Sequence, residues 1–391
     1  MKFPWLKTAL EQEGPFLSLY IDTTRTNENA ATEITNRWQH LREKVTQEGA
    51  PKSLLDSIED SILRPSSIGG DHGRAIIAAG DEILIDRVLP APPREDAGAY
   101  GDTPLLLPLL QLTPHAIRQL LIEVDRAGAD LHLRAATDPS IDNTTEALGE
   151  DATVEGGHDE LHKTTKSGAS RHGWRGDNFE ARVEDSWERN AEAVAEQVNK
   201  LVLKHDPHMV ILTGDVRAQS LLKDNLRQEV TSRIFEVPGG TRGQSMQRDS
   251  FLEALAETTQ KFSDDRQNDL AEQYRESQAR DGASVGGASE ISASLDRGQV
   301  EELLFVIGHE PDDIEELLLK AITTDAGVSA LDDGHVDLLD GVGALLRWRD
   351  DATPSNALGS MGNDRRRIDA VDPTRDDVSP REAEEAAIRS N

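Results

Sequence analysis

Apolar positions along this chain come in short blocks separated by polar, glycine- and proline-bearing stretches, and the spacing within each block predicts its element. Phe16-Leu17-Ser18-Leu19-Tyr20-Ile21 predicts a strand, and a polar-faced helix follows over 29–46. Pro51-Lys52-Ser53-Leu54-Leu55 opens a second helix, at a position where proline's missing N–H costs little. Residues 74–79 and 82–88 then read as two strands about Gly80-Asp81, a hairpin signal. A second hairpin is predicted for Leu120-Leu121-Ile122-Glu123-Val124-Asp125 and Ala129-Asp130-Leu131-His132-Leu133-Arg134, turning through Arg126-Ala127-Gly128.

A polar, glycine-bearing stretch runs from 136 to 178, and a segment this long is functional or disordered. It ends at a helix start. Asp177 and Glu180 have capping-box spacing, and Val183, Trp187, Ala191, Val194, Val198 and Leu201 fall on one face. Asp206-Pro207 stops that helix, Met209-Val210-Ile211-Leu212-Thr213-Gly214 reads as a buried strand, and 234–237 as another. Alternating strands and helices imply a largely parallel sheet. A charged helix over 250–280 leads to a helix over 288–297 closed by Gly298, a strand over 300–306 and a helix over 314–322. Segments 336–339 and 342–348 finish a small sheet, and beyond Asp350 periodicity ceases.

The fold class this predicts is α/β (α+β) and multidomain. An N-terminal α/β domain spans 1–112, and a middle domain spans 113–262 with a long basic loop over 155–178. A C-terminal α/β domain spans 263–350, and a disordered tail spans 351–391.

Charge changes this picture most. Seventy-three acidic against 42 basic residues give a formal net charge of -31, which repels phosphate backbones and anionic membranes at long range. Nucleic-acid binding therefore needs local basic islands. A generally acidic proteome or a salt-adapted host yields the same balance. The absence of cysteine excludes disulfides, thiolate metal sites and cysteine nucleophiles. The first residues carry no apolar leader, and the most apolar stretch, 105–112, is short and broken by Pro108. A cytoplasmic protein without membrane contact is expected.

The basic island is Leu161-His162-Lys163-Thr164-Thr165-Lys166-Ser167-Gly168-Ala169-Ser170-Arg171-His172-Gly173-Trp174-Arg175-Gly176, which has no acidic residue. Lys163, Lys166, Arg171 and Arg175 can neutralise phosphate, His172 adds a polar ring, and Trp174 can stack on a base. An incidental basic bias in a flexible loop is the bland alternative.

His158-Asp159-Glu160-Leu161-His162 has two histidines at i,i+4, but its glutamate is third of five where the metalloprotease pattern needs it second. It reads as a solvated loop, and no metal or other cofactor is expected. Pro238-Gly239-Gly240-Thr241-Arg242-Gly243-Gln244-Ser245 lacks the Gly-Lys-Ser/Thr ending of a phosphate loop and reads as a strand-to-helix turn. In Gly214-Asp215-Val216-Arg217, Asp215 is expected to cap the next helix, and no Gly-x-Ser-x-Gly elbow supports a serine hydrolase.

Three local matches resemble the archaeo-eukaryotic release factors and Pelota, and in particular their bacterial relatives, which include the hibernation factor Balon. The loop, the helix over 178–203 and Met209-Val210-Ile211-Leu212-Thr213-Gly214-Asp215 are similar to that family's catalytic-loop domain. Ala293-Ser294-Leu295-Asp296-Arg297-Gly298-Gln299-Val300-Glu301-Glu302-Leu303-Leu304 resembles its C-terminal module. Asp340-Gly341-Val342-Gly343-Ala344-Leu345-Leu346-Arg347 resembles the closing segment of an actinobacterial branch.

The resemblance implies a three-domain architecture with an L7Ae-like C-terminal domain and a monomeric, tRNA-shaped factor. It implies binding at the ribosomal A site, with ribosomal RNA near the peptidyl-transferase centre as the loop's contact and the elongation factor EF-Tu as a partner. Release factors hydrolyse peptidyl-tRNA with a Gly-Gly-Gln tripeptide at the loop tip. Here Gly173-Trp174-Arg175-Gly176-Asp177-Asn178 stands in the corresponding stretch. A non-enzymatic hibernation factor of stressed cells is the expectation. The alternative is a catalytic rescue factor or RNA-cleaving enzyme using the same loop, with His172 and Asn178 as its polar groups.

Overall fold

A computed structural model describes residues 1–65, 71–134, 151–155, 174–280 and 282–354. Contacts between Cα atoms divide the chain into two compact units. One comprises residues 1–18, 99–114 and 266–391, the other residues 19–98 and 115–265.

The first elements are α1 (Pro4–Leu10), β1 (Phe16–Asp22), α2 (Ala30–Gln47), α3 (Lys52–Leu63), β2 (Gly73–Ala79), β3 (Glu82–Leu89) and β4 (Ala97–Gly101). Their sheet has the order β3-β2-β1-β4. Helix α2 buries Ile34, Trp38, Leu41 and Val45, whose spacing of three and four puts them on one stripe. The β2–β3 hairpin turns at Gly80, whose φ of +57° suits a residue without Cβ.

The next elements are α4 (Leu107–Leu110), β5 (Gln119–Val124), β6 (Gly128–Arg134), β7 (Asp151–Glu155), α5 (Trp174–His205), β8 (Met209–Gly214), α6 (Val216–Asn225), α7 (Gln228–Thr231), β9 (Ile234–Glu236) and α8 (Asp249–Ala279). The five strands lie in the order β7-β6-β5-β8-β9. Strands β5, β8 and β9 run parallel, and β6 and β7 extend the sheet antiparallel. Both faces are covered, which is why β5 and β8 read as unbroken apolar runs. Leu120, Ile122, Val210 and Leu212 pack on Val194, Val198 and Leu201 of α5 and Leu222 of α6. The alternate residues Leu121, Met209 and Ile211 pack on Phe251 and Leu255 of α8.

The last elements are β10 (Ser284–Gly286), α9 (Ala288–Asp296), β11 (Val300–Val306), α10 (Ile314–Thr323), β12 (Gly327–Leu331) and β13 (Val342–Leu346), with sheet order β10-β13-β11-β12. Gly341 and Gly343, singled out in the sequence, have steric reasons to be glycine. Gly341 has φ +71°, and a Cβ there would overlap the carbonyl oxygen of His309. A Cβ on Gly343 would sit 2.9 Å from the ring of buried Tyr274.

Several predicted elements need correction. Residues 336–339 form no strand: Leu339–Gly341 is a 3-10 turn, and left-handed Asp340 and Gly341 swing the chain into β13. Strand β7 lies inside the stretch read as loop, because an edge strand with alternating half-buried residues carries little apolar signal. Helix α5 begins at Trp174, so Asp177 lies within it and not at its cap. Helix α1 and strand β12 were not anticipated; β12 is fully buried, yet its Gly-Val-Ser-Ala-Leu run is weakly apolar.

Of the predicted tail, residues from 355 onward lie outside the described residues. Thr353 is buried and accepts a hydrogen bond from Gln299 Nε2 at 3.3 Å. Among the described residues no helix is long and apolar enough to cross a membrane.

Candidate nucleic-acid interface

The carboxyl edge of the middle sheet is where the chain's unusual segments converge. Parallel pairing brings Val124 at the end of β5 level with Gly214 at the end of β8. Antiparallel pairing brings Gly128 level with Glu155, the last residue of β7. Gly214 takes φ +120°, and a Cβ there would overlap the Val124 carbonyl oxygen, so this crossing admits only glycine. The β5–β6 turn is closed by Asp125, whose Oδ1 accepts the N–H of Ala127 at 2.8 Å and of Gly128 at 2.9 Å.

Three polar assemblies fix this edge. The first is the glycine-rich segment after β9. Gly239 and Gly243 take φ +90° and +69°, and the N–H groups of Gly243 and Ser245 donate to the Glu123 carboxylate at 2.9 and 3.1 Å. Glu123 is only 2% exposed, so it needs those donors. The backbone concavity that a phosphate loop would offer an anion is thus filled by the chain's own carboxylate.

The second assembly is centred on Arg242. Its guanidinium reaches Asp125 at 3.2 Å, Asp130 at 3.3 Å and Glu155 at 2.6 Å. Burial works against its charge, but the hydrogen bond it donates to Glu155 and the charges of Asp125, Asp130 and Glu155 outweigh it, and its pKa is raised. The strand that leads into residues 156–173 is therefore tied at its last residue to the β5–β6 turn. Beside it, His132 Nδ1 lies 2.8 Å from Asp151 Oδ1, and His132 Nε2 lies 3.8 Å from Glu123.

The third assembly holds α5. Two guanidiniums lie over the Trp187 ring, Arg126 at 4.5 Å and Arg217 at 5.4 Å from its centroid. Asp215 caps α6 by accepting the N–H of Arg217 at 3.0 Å and of Ala218 at 3.1 Å, as the sequence predicted. Its other oxygen pairs with Arg126 at 3.3 Å. One turn along α5, buried Asn190 donates from Nδ2 to the Arg126 carbonyl at 3.0 Å. From Trp187 the helix runs 13 residues back to Trp174, about 20 Å at 1.5 Å per residue.

Of the residues predicted to contact RNA, Lys163, Lys166, Arg171 and His172 lie outside the described residues. Trp174 and Arg175 are the first two residues of α5, described by their backbone alone. The pair His158 and His162 also lies outside. Among the described residues no group of three or more His, Asp or Glu side chains is placed to hold a metal ion.

Sequence reasoning missed Arg126, Trp187 and Arg217 as a cluster. Trp187 was read as part of the buried face, and only the turn position of Arg126 and the Asp215 cap hinted that all three share one edge.

Residues 118–280 match the model of bacterial archaeo-eukaryotic release factor family 2. Uncharacterised proteins of two Mycobacterium tuberculosis strains are 27% identical over 387 residues, covering 91% of this chain and 97% of theirs. Among solved structures, ribosome-bound archaeal Pelota is 12% identical with a TM-score of 0.38, covering 89% of this chain and 96% of its own. An archaeal translation termination factor is 18% identical with a TM-score of 0.23, covering 88% and 96%. Archaeoglobus fulgidus Pelota is 12% identical with a TM-score of 0.32, covering 89% and 92%. At these identities and TM-scores such superpositions carry no functional weight.

Proposed function

We propose that this chain, whose residues 118–280 match the model of bacterial archaeo-eukaryotic release factor family 2, is a ribosome-binding translation factor occupying the A site of idle ribosomes without hydrolysing peptidyl-tRNA. The observation that carries this reading is the return of the chain to one sheet edge on either side of its basic segment. Glu155 of β7 is fixed there by Arg242, and α5 is fixed there through Trp187 and Asn190.

Between these anchors the sequence carries Lys163, Lys166, Arg171 and Arg175 without one carboxylate over 161–176, in a chain of net charge -31. Local cations suit ribosomal RNA near the peptidyl-transferase centre, and the acidic remainder is compatible with mimicry of a tRNA's phosphates. No Gly-Gly-Gln tripeptide occurs anywhere in the sequence, which supports a binding role over ester hydrolysis. Occupancy in place of tRNA makes EF-Tu a fitting partner and stationary-phase or stressed cells the fitting setting.

The test is co-sedimentation with purified ribosomes across a salt series. The wild-type chain is expected in the ribosomal pellet at low salt, with a binding constant that falls as salt rises. R171A/R175A is expected to weaken it and flatten that dependence. A wild-type chain left wholly in the supernatant at low salt would overturn the proposal. Release of labelled peptide from stalled complexes, abolished by changing His172 or Asn178, would establish the catalytic alternative instead.

A further inference from the structure

We propose that the α8 face of the middle sheet carries a docking pocket for a basic protein partner, which seats one large apolar side chain against Met246 and Leu252. The pocket goes beyond the ribosome-binding reading and does not depend on it.

Helix α8 covers this face of the sheet through Phe251 and Leu255. Leu252, Leu255 and Ala256 of α8, with Ile117 and Met246, form the apolar side of a cavity of about 350 Å³. On its polar side Gln119 donates from Nε2 to Thr259 Oγ1 at 3.2 Å, so these two groups satisfy one another. None of the described residues that line the cavity is a lysine, arginine, aspartate or glutamate, in a chain where 29% of residues are charged. Without lysine or arginine to meet phosphate, the cavity suits a protein and not RNA. Met246 is 41% and Leu252 37% exposed, although both are large and apolar. Single exposed apolar side chains are ordinary, but two lining one cavity mark a contact surface.

The glycine-rich segment before Met246 acquires a purpose here. Ser245 is fully buried, and its N–H donates to Glu123 at 3.1 Å. Its Oγ accepts the N–H of Thr241 at 2.8 Å and donates to the Thr241 carbonyl at 3.0 Å. Met246 follows directly in a 3-10 turn, so a buried anchor fixes where the exposed methionine stands. A flexible thioether on a fixed stem adapts to the shape of an incoming side chain.

Charge gives the chemistry of the partner. Asp249, Glu253 and Glu257 recur every fourth residue on α8 and are all exposed, Glu253 next to Leu252 and Glu257 next to Ala256. Such spacing puts them on one stripe bordering the pocket. A net charge of -31 draws a cationic protein from a distance and repels a second copy of this chain. The stripe then meets lysines or arginines around a seated apolar anchor, the arrangement of a charged rim about a desolvated centre.

The test uses the full-length chain. A random peptide library is selected on wild type and counter-selected on A256W, whose indole fills the cavity, with thermal melting as the control for folding. The expected peptides carry a leucine, methionine, phenylalanine or isoleucine between lysines or arginines. Synthesised and titrated, they should bind A256W and M246D/L252D about tenfold more weakly than wild type, as loss of a central anchor requires. E253Q/E257Q should bind severalfold more weakly, with less salt dependence. An empty selection, or peptides that bind wild type and A256W alike, would overturn the pocket. Competition by an oligouridylate would make it an RNA surface, and a dimer in sedimentation equilibrium that M246D/L252D dissolves would give it to a second copy; either result overturns the proposal. The chain has no cysteine, so A256C carries its only thiol. Failure of that thiol to react with iodoacetamide in the folded protein would mean that the chain itself fills the cavity, and would also overturn it. Pelleting with ribosomes is read separately and stands or falls without these results.

Discussion

Arg242→Ala probes the joint from which the basic segment departs. The guanidinium is 13% exposed and is the only cation within 4 Å of Asp130 and Glu155 among the described ion pairs. Breaking a fully buried pair by removing one partner costs about 3–5 kcal/mol. Here the carboxylates are unequally wet: Asp130 is 19% exposed, Asp125 43% and Glu155 69%. Water can resolvate Glu155 and much of Asp125 once the arginine is gone, so the cost falls to about 2–3 kcal/mol, mostly from Asp130 and lost packing.

For a folding unit of this size that corresponds to a Tm lowered by about 5–10 °C, read by calorimetry and urea unfolding. Glu155→Gln alone should cost under about 1 kcal/mol, because its carboxylate is mostly in water. Arg242→Lys should recover only part of the loss, since one ammonium cannot span three carboxylates as a planar fork does. An R242A protein melting within 1–2 °C of wild type (roughly half a kcal/mol) would refute the reasoning. So would an E155Q variant as damaged as R242A.

Other perturbations test other parts of the fold. Glu123→Gln replaces an acceptor of two backbone N–H groups with an amide whose NH2 must face one of them; a loss of about 2–3 kcal/mol in urea unfolding is expected. Gly341→Ala adds both left-handed strain and overlap with the His309 carbonyl. It should cost at least about 2 kcal/mol in the same measurement, whereas Gly334, left-handed but with open space around it, should tolerate alanine at a smaller loss. Burial pushes the Tyr274 phenol up to about 12 from an ordinary value of 10.0. The folded state keeps this proton longer than the unfolded chain, so its stabilisation is whole below pH 10 and vanishes as pH rises toward 12. Wild type should lose about 2–3 kcal/mol across that window by alkaline titration of unfolding, and Tyr274→Phe should lose less.

Much of this architecture was legible because burial writes itself into spacing. Val194, Val198 and Leu201 recur at helical intervals and do meet the middle sheet, and the unbroken runs of β5 and β8 match a sheet covered on both faces. The two hairpins were legible from Gly80 and from the Arg126-Ala127-Gly128 turn. Asp215 was legible as a cap because a short acidic side chain after a buried strand has few other uses. What escaped depends on neighbours distant in the chain. Strand β12 is a strand because β11 pairs with it, not because Gly-Val-Ser-Ala-Leu favours one. Likewise Arg242 looked like one charge in a turn, and only folding shows that Asp125, Asp130 and Glu155 converge on it. The site had the same obstacle: Arg126, Trp187 and Arg217 are up to 91 positions apart, and no local pattern links them.

The Glu123 carboxylate seated on the N–H groups of Gly243 and Ser245 has a further consequence for regulation. A tethered anion competes at an effective concentration no free metabolite reaches, so a nucleotide cannot enter that hollow without dismantling the strand end beneath it. Timing by a bound triphosphate is closed to this part of the molecule.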